Sequence, residues 1–379
     1  MIKKRCLPVV LFCILAAHCS NNTQTNHTNI LVEIPEHVRD IENISIFPGD
    51  SKPLYSIELI REQVFGADGE PWLSKIMRAN VDDLGRVIIW DVNMDAGVFP
   101  PQNNLYVYNS DGSYHTQVGG RGKGPEEFVM LMGMKASNGH VYALDHTSQR
   151  LNVYNTEDYT FERSTVVEQW SVHDNEAVRD LDFARLDTRS DGNHIAVFVE
   201  RVPNSGELPV LKYLLIDTDG NVLNYEPVEF PAGFTISPET TPPSPPMTLP
   251  FMGHTITALN RNNTLYSAWT CDFLIKKHDA NGNYQSAIYY LITGSQFDLR
   301  DHTESSRYNI RDISNAFDES RKELPDNNPV LADMMIDDEN RIWAAVPMDP
   351  KQQMYEWWIL DESGELLSKL QRPRAKDIF

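Results

Sequence analysis

The sequence predicts an all-β fold, and within that class a β-propeller, on three observations: a hairpin design repeated five times, the polar turns that punctuate it, and its period. The first strands of the five units read Val87-Ile88, Val141-Tyr142, Ile195-Ala196, Leu265-Tyr266 and Ile342-Trp343, each after a turn rich in Asp, Asn or Gly. The second strands run from Leu105 to Tyr108, Leu151 to Tyr154, Tyr213 to Ile216, Phe273 to Lys276 and Trp357 to Leu360. Each closes on a further polar turn, such as Ser110 to Gly112 or Ala280 to Gly282. Hairpin units that recur every roughly 45–60 residues cannot bury their apolar faces alone and stack radially as blades.

A blade needs four antiparallel strands. The innermost are expected at Lys75 to Val81, Met130 to Ala136, Asp182 to Thr188, Thr255 to Asn260 and Leu331 to Ile336. Outermost strands are expected at Tyr114 to Val118, Val222 to Tyr225 and Leu366 to Leu370. Five units are complete. The apolar stretch Pro53 to Phe65 precedes them and is positioned to add an outer strand to the last blade, removing an exposed edge. Two insertions interrupt the repeat. Residues 237–250 are too rich in proline for strand or helix, whereas residues 295–328 place Ile310, Ile313 and Phe317 at helical spacing.

The chain of 379 residues is 41% hydrophobic and 10% aromatic, enough for a sizeable core. It holds 54 acidic against 33 basic residues, a net charge of −21. Such a surface repels phosphate backbones, so nucleic acid is excluded as a partner. At the N-terminus a basic stretch, Lys3 to Arg5, precedes an apolar run from Leu7 to Ala17 that is too short to span a bilayer. The leader, residues 1–19, resembles a bacterial export signal ending in a lipobox, with Cys19 as the lipidated residue and His18 where a small residue is usual. Residues 20–45 then serve as a polar tether and 46–379 as the propeller, expected in the periplasm or at the outer membrane of a Gram-negative cell. Three of the four cysteines lie in the leader, which leaves Cys271 alone and expected to be a buried, inert thiol.

The segment Gly119 to Phe128, GGRGKGPEEF, is similar to the G-R-x-G-x-G-P-x-E-F string of the bacterial six-bladed β-propeller lipoproteins, which are relatives of NHL-repeat proteins. The turn from Asp145 to Leu151 and the element from Asp337 to Trp343 extend the resemblance over roughly residues 50–370. It implies six blades, with the last one split or incomplete. Relatives continue for a hairpin or two beyond the place of Arg372, and most have no established activity.

Up-and-down blades bring the loops between second and third strands to the same face as the blade-to-blade loops. That face is expected to gather Asp91, Asn93, Asp95, Asp145, His146, Arg150, Glu200, Arg201, Asp272, Asp349 and Lys351, together with Arg121, Lys123 and Glu126 of the glycine-rich loop. That loop is no phosphate cradle, because the G-x-x-x-x-G-K-S/T spacing and the βαβ context are missing. Gly119, Gly120, Gly122 and Gly124 are instead expected to permit positive φ, with Pro125 stiffening the exit and Phe128 wedged between blades. The run Asp217, Asp219, Gly220 hints at calcium but lacks the downstream bidentate Glu, and hairpin geometry explains it better. His140 and His194 occupy matching positions before strands and read as repeat structure.

Two functions remain open beside a purely structural envelope role, which predicts no pocket. The first is a non-catalytic, membrane-tethered module that binds a protein, peptide or glycan through the loop face, without a cofactor. The alternative is a metal-dependent hydrolase or lyase of lactonase-like or NHL-lyase type, with a divalent ion in the channel held from Asp182, Asp187, His254 or Asp333. A convergence of acidic or histidine side chains from three or more inner strands separates the two.

Overall fold

The computed structural model describes residues 34–66, 69, 71–94, 97–98, 100–167, 170–200, 208–223, 227–233, 235–236, 247–248, 251–303, 324–348 and 354–374. Residues 42–379 form one compact unit. Its first strand is β1 (Ile44–Pro48). Blade 1 follows as β2 (Ile76–Val81), β3 (Val87–Asn93), β4 (Gln102–Tyr108) and β5 (Tyr114–Val118). Two short parallel strands, β6 (Gly120–Arg121) and β7 (Glu127–Phe128), lead to blade 2: β8 (Leu131–Ser137), β9 (His140–Asp145), β10 (Arg150–Asn155) and β11 (Phe161–Val166). Blade 3 is β12 (Asp182–Thr188), β13 (His194–Val199), β14 (Val210–Ile216) and β15 (Val228–Pro231). After a small ladder of β16 (Thr235–Ile236) and β17 (Met247–Thr248) comes blade 4: β18 (Thr255–Leu259), β19 (Leu265–Trp269), β20 (Leu274–His278) and β21 (Tyr284–Leu291). Blade 5 is β22 (Asp333–Ile336), β23 (Ile342–Pro347), β24 (Met354–Leu360) and β25 (Leu366–Pro373). Every blade is an antiparallel meander, and blade 4 gains β1 as a fifth, parallel strand. The chain is a β-propeller with five complete blades among the described residues.

The hairpin turns explain why the polar punctuation was so regular. Asp82 Oδ1 accepts the amides of Leu84 and Arg86 at 2.9 and 2.8 Å, and Asp217 does the same for Asp219 and Asn221. Asn260, Asp279, Asp337 and Asp361 repeat the arrangement. The fourth residue of each such turn sits at positive φ. Glycine fills it at Gly220 (+84°) and Gly282 (+87°), and asparagine takes it at Asn263 (+60°) and Asn340 (+61°). The calcium-like run at Asp217 is therefore one of these turns, its carboxylate already committed to amides.

Shared cores join consecutive blades. Blades 1 and 2 meet over Ile88, Leu105, Val107, Phe128 and Val141, and blades 2 and 3 over Leu151, Val153, Ala196, Phe198 and Leu214. Blades 4 and 5 meet over Tyr266, Phe273, Tyr290, Ile342 and Trp358. At about 25 cal/mol per Å² of apolar surface, these faces dominate stability, and none of the blades could be soluble alone.

Four expectations need correction. The outer strand of blade 3 lies at Val228–Pro231; of the expected Val222 to Tyr225, Val222 makes an isolated bridge to Ile216 and residues 224–225 lie outside the described residues. The N-terminal strand is Ile44–Pro48 and joins blade 4; Leu54 and Tyr55 then touch the last blade by single amide bonds to Leu366 and Leu367 without forming a strand. Insertion 237–250 does contain strand, since Met247 and Thr248 pair back to Ile236 and Thr235. Cys271 is exposed rather than buried, although its Sγ lies over Gly253, where a Cβ would approach it to 2.8 Å. Of insertion 295–328, the helix seen is Leu299–Thr303; Ile310, Ile313 and Phe317 lie outside the described residues.

Candidate functional site

The loop-face residues differ in how far they are engaged. Asp91, near the end of β3, and Asp145, at the end of β9, are both fully buried. Asp91 Oδ1 accepts the amides of Ser74 and Lys75 at 2.7 and 2.9 Å. Burial raises its pKa, opposed by those amides and by Asn104. Asp145 accepts from the amides of Met130, Thr147 and Ser148 and from the Ser148 hydroxyl. Both carboxylates hold backbone and are closed to a ligand. Arg121 and Arg150 donate to the carbonyls of Pro100 and Gly124, at 3.1 and 2.9 Å. Lys123, Glu126 and His146 are exposed, whereas Asp95, Arg201, Asp349, Lys351 and Cys19 lie outside the described residues.

The glycine-rich loop is fastened by one face of β10. Arg150, Asn152 and Tyr154, spaced by two as a strand face requires, donate to the carbonyls of Gly124, Glu127 and Glu126. Only Gly119 of the four glycines has positive φ, +62°, and a Cβ there would come within 2.8 Å of the Tyr154 hydroxyl. Gly122 and Gly124 matter differently: the Glu127 carboxylate folds over both and takes the Gly124 amide at 2.7 Å. That carboxylate occupies the place an anion would need.

A large concave feature among the described residues is the central channel. Residues of all five inner strands, β2, β8, β12, β18 and β22, line a cavity of about 830 Å³. Its wall mixes Leu144, Leu151 and Trp357 with the charged groups Arg78, Lys135, Asp187, Arg261, Asp333 and Arg374. The expected metal donors do not converge there. Asp182 and Asp333 begin their strands at the loop end, while Asp187 lies near the hairpin end and is paired with Arg185 at 3.0 Å. The His254 ring faces the carbonyl of Met252 and the hydroxyl of Thr270, and among the described residues no three His, Cys, Asp or Glu side chains could share a metal ion.

The cations were missed by the sequence reading. Arg78 on β2 and Lys135 on β8 are charged residues in strands otherwise read as core, and that mismatch within a repeat was the available signal. The Lys135 ammonium has its pKa lowered by burial, then by Arg78 and Arg261, with Asp187 opposing.

A family match over part of the chain is to the same fold class. Residues 86–238 match the model of a family described as a 6-bladed beta-propeller, DUF5128. No curated protein matches the sequence. Among solved structures, an exported protein of Bacteroides fragilis is similar at 14% identity over 89% of this chain and 76% of its own, with a TM-score of 0.42. A DUF4221 member from Bacteroides vulgatus is similar at 11% identity over 83% of each chain, with a TM-score of 0.45. A calcium-binding protein, regucalcin, from Agrobacterium tumefaciens shares 9% identity over 86% of this chain and 79% of its own, with a TM-score of 0.35. By its blades the chain is a β-propeller, and its residues 86–238 are similar to a family described as a 6-bladed beta-propeller.

Proposed function

We propose that this chain is an exported, lipid-anchored binding protein that takes its ligand into the central channel. The observation that carries this reading is the cavity itself, which draws on five blades and mixes apolar walls with a few charged groups, as small-molecule sites do. Export and anchoring rest on the basic and apolar leader and on Cys19. Within the binding reading, the channel is favoured over the loop face because Asp91, Asp145, Arg121 and Arg150 are engaged with backbone. The metal-dependent hydrolase or lyase is disfavoured, because Asp187 stands at the hairpin end away from Asp182 and Asp333, and among the described residues no three His, Cys, Asp or Glu side chains could share an ion.

Gly133 supplies the test. It lines the cavity, and a Cβ there would meet nothing within 4 Å. Gly133→Trp therefore projects an indole from an unobstructed Cβ position into the channel and narrows it. A thermal-shift screen of peptides, oligosaccharides and small acids should give hits with the parent chain that disappear in Gly133→Trp. Hits that survive the narrowed channel would move the site elsewhere. Anchoring is checked by detergent-phase partitioning, which Cys19→Ala should abolish.

A further inference from the structure

Four carboxylates line the channel, and each already has an engagement. Asp187 pairs with Arg185, Asp337 with Arg341 at 2.7 Å, and Asp338 with Arg261 at 3.8 Å, while Asp333 Oδ1 takes the amide of Met334. Arg374 donates to the carbonyls of Met348 and Met354. Arg78 and Lys135 are left. No hydrogen bond or ion pair to either is found among the described residues, yet both line the cavity, from adjacent blades, and Arg261 lies close enough to oppose the Lys135 charge.

This is an unusual arrangement for a protein with a net charge of −21. In a chain so rich in acid, unpaired cations on a surface would be expected to find carboxylates. Here two strands hold like charges on the wall of one cavity, where they repel each other. An anion placed between them turns that repulsion into attraction. The acidic exterior does not prevent this, since at physiological salt its field decays over roughly 8 Å. It does discriminate against long polyanions, which would have to lie across that exterior. The apolar wall of Leu144, Leu151 and Trp357 suits an organic body attached to the charge.

We propose that the channel binds a small organic anion whose carboxylate or phosphate group is held by Lys135 and Arg78, with Arg261 completing the charge from blade 4. The proposal rests on the channel being the binding site. Arginine offers a planar fork that accepts both oxyanions in bidentate fashion, and the lysine adds a point charge.

The test is calorimetric titration of the purified chain with citrate, inorganic phosphate and glucuronate, against sodium chloride at equal ionic strength and against neutral glucose. At least one anion should bind, tenfold or more weaker to Lys135→Met and to Arg78→Gln, and unchanged in Lys123→Gln, which removes a cation outside the channel. The carboxylate and phosphate arms distinguish the two head groups. If Lys135→Met fails to fold, Arg78→Gln carries the comparison alone. No anion-specific binding, or binding that both channel variants retain, overturns the proposal. Neutral ligands that Gly133→Trp excludes, with no anion bound, would leave the channel as the site and remove only the anion; anions bound equally by Gly133→Trp would remove both.

Discussion

Asp91 and Asp145 occupy the same place in successive blades, and each uses Oδ1 to take the amide of a residue leading into its own inner strand: Lys75 at 2.9 Å for Asp91 and Met130 at 2.8 Å for Asp145. A polar residue at the end of the second strand thus sets where the innermost strand begins. Blade 4 does it with a neutral group, since the Thr270 hydroxyl takes the His254 amide at 3.0 Å. The carboxylates therefore read as scaffold, and their removal should be felt in stability.

Asp145→Ala would leave the amides of Met130, Thr147 and Ser148 without their acceptor. Each buried orphan costs about 1–3 kcal/mol, moderated where water can enter, so the expected loss is about 2–4 kcal/mol. Asp145→Asn keeps one acceptor oxygen and should cost less than half of that. Urea unfolding midpoints decide it; equal tolerance of both changes would remove the scaffold role.

Gly119 and Gly124 should respond differently to a methyl group. Gly119→Ala combines a positive φ with approaches to Phe128, to the Tyr154 hydroxyl and to the Glu126 carbonyl, and about 2–4 kcal/mol is expected. Gly124→Ala meets the end of the Glu127 side chain, which can swing away, so about 1 kcal/mol is expected. The order of the two melting temperatures checks this, and a larger effect at Gly124 would contradict the geometry.

His194 predicts a pH dependence. It is fully buried beside Tyr142, with Nδ1 facing the Thr188 hydroxyl at 3.1 Å, and desolvation pushes its pKa down to about 4. The unfolded chain takes up its proton near pH 6.5, so between 6.5 and 4 the unfolded state binds more protons than the folded one. Stability is then full above pH 6.5 and falls as pH drops towards 4, by up to about 3 kcal/mol. His278 is shifted in the same direction, again chiefly by burial. Unfolding midpoints measured from pH 7 to 4.5 should decline in the parent chain and flatten in His194→Gln. A parallel decline in the variant would assign the effect elsewhere.

The repeat was legible because it is written locally. Asp82, Asp217 and Asp279 each satisfy amides two and four residues ahead, so the turn and its spacing appear in the sequence together. The outer strand of blade 3 was not, since Val222 to Tyr225 is also an apolar run and touches β14 at Ile216 and Leu215, whereas the continuous ladder to β14 is made by Val228–Pro231. The site was harder still. Charge on the loop face was visible, but whether Asp91 points at a ligand or at an amide depends on contacts across 16 residues. Lys135 looked like an interruption of a strand until the other four blades were in place around it.

Closure of the ring depends on a long-range relationship of the same kind. β1 pairs in parallel with β21 of blade 4, and Phe47 stacks on Tyr290 with ring centroids 4.9 Å apart. The chain then hydrogen-bonds β25 of blade 5 through Leu54 and Tyr55, and reaches blade 1 where the Gln63 amide donates to the Asp111 carbonyl. The N-terminal stretch therefore runs as a strap across three blades and bridges the junction of first and last, where Ile60 and Trp72 remain exposed. Gly49 fixes its path, because a Cβ there would lie 2.0 Å from the Leu291 carbonyl oxygen. Gly49→Ala should lift β1 from β21 at a cost of about 2–4 kcal/mol. Phe47→Ala, which leaves the backbone path open, should cost about 1–3 kcal/mol through lost stacking and burial. Amide exchange then separates a strap from a decoration. If it closes the ring, both variants should accelerate exchange in β21 and also in β25, which neither residue pairs with. Acceleration confined to β1 would mean that the blades hold together without it.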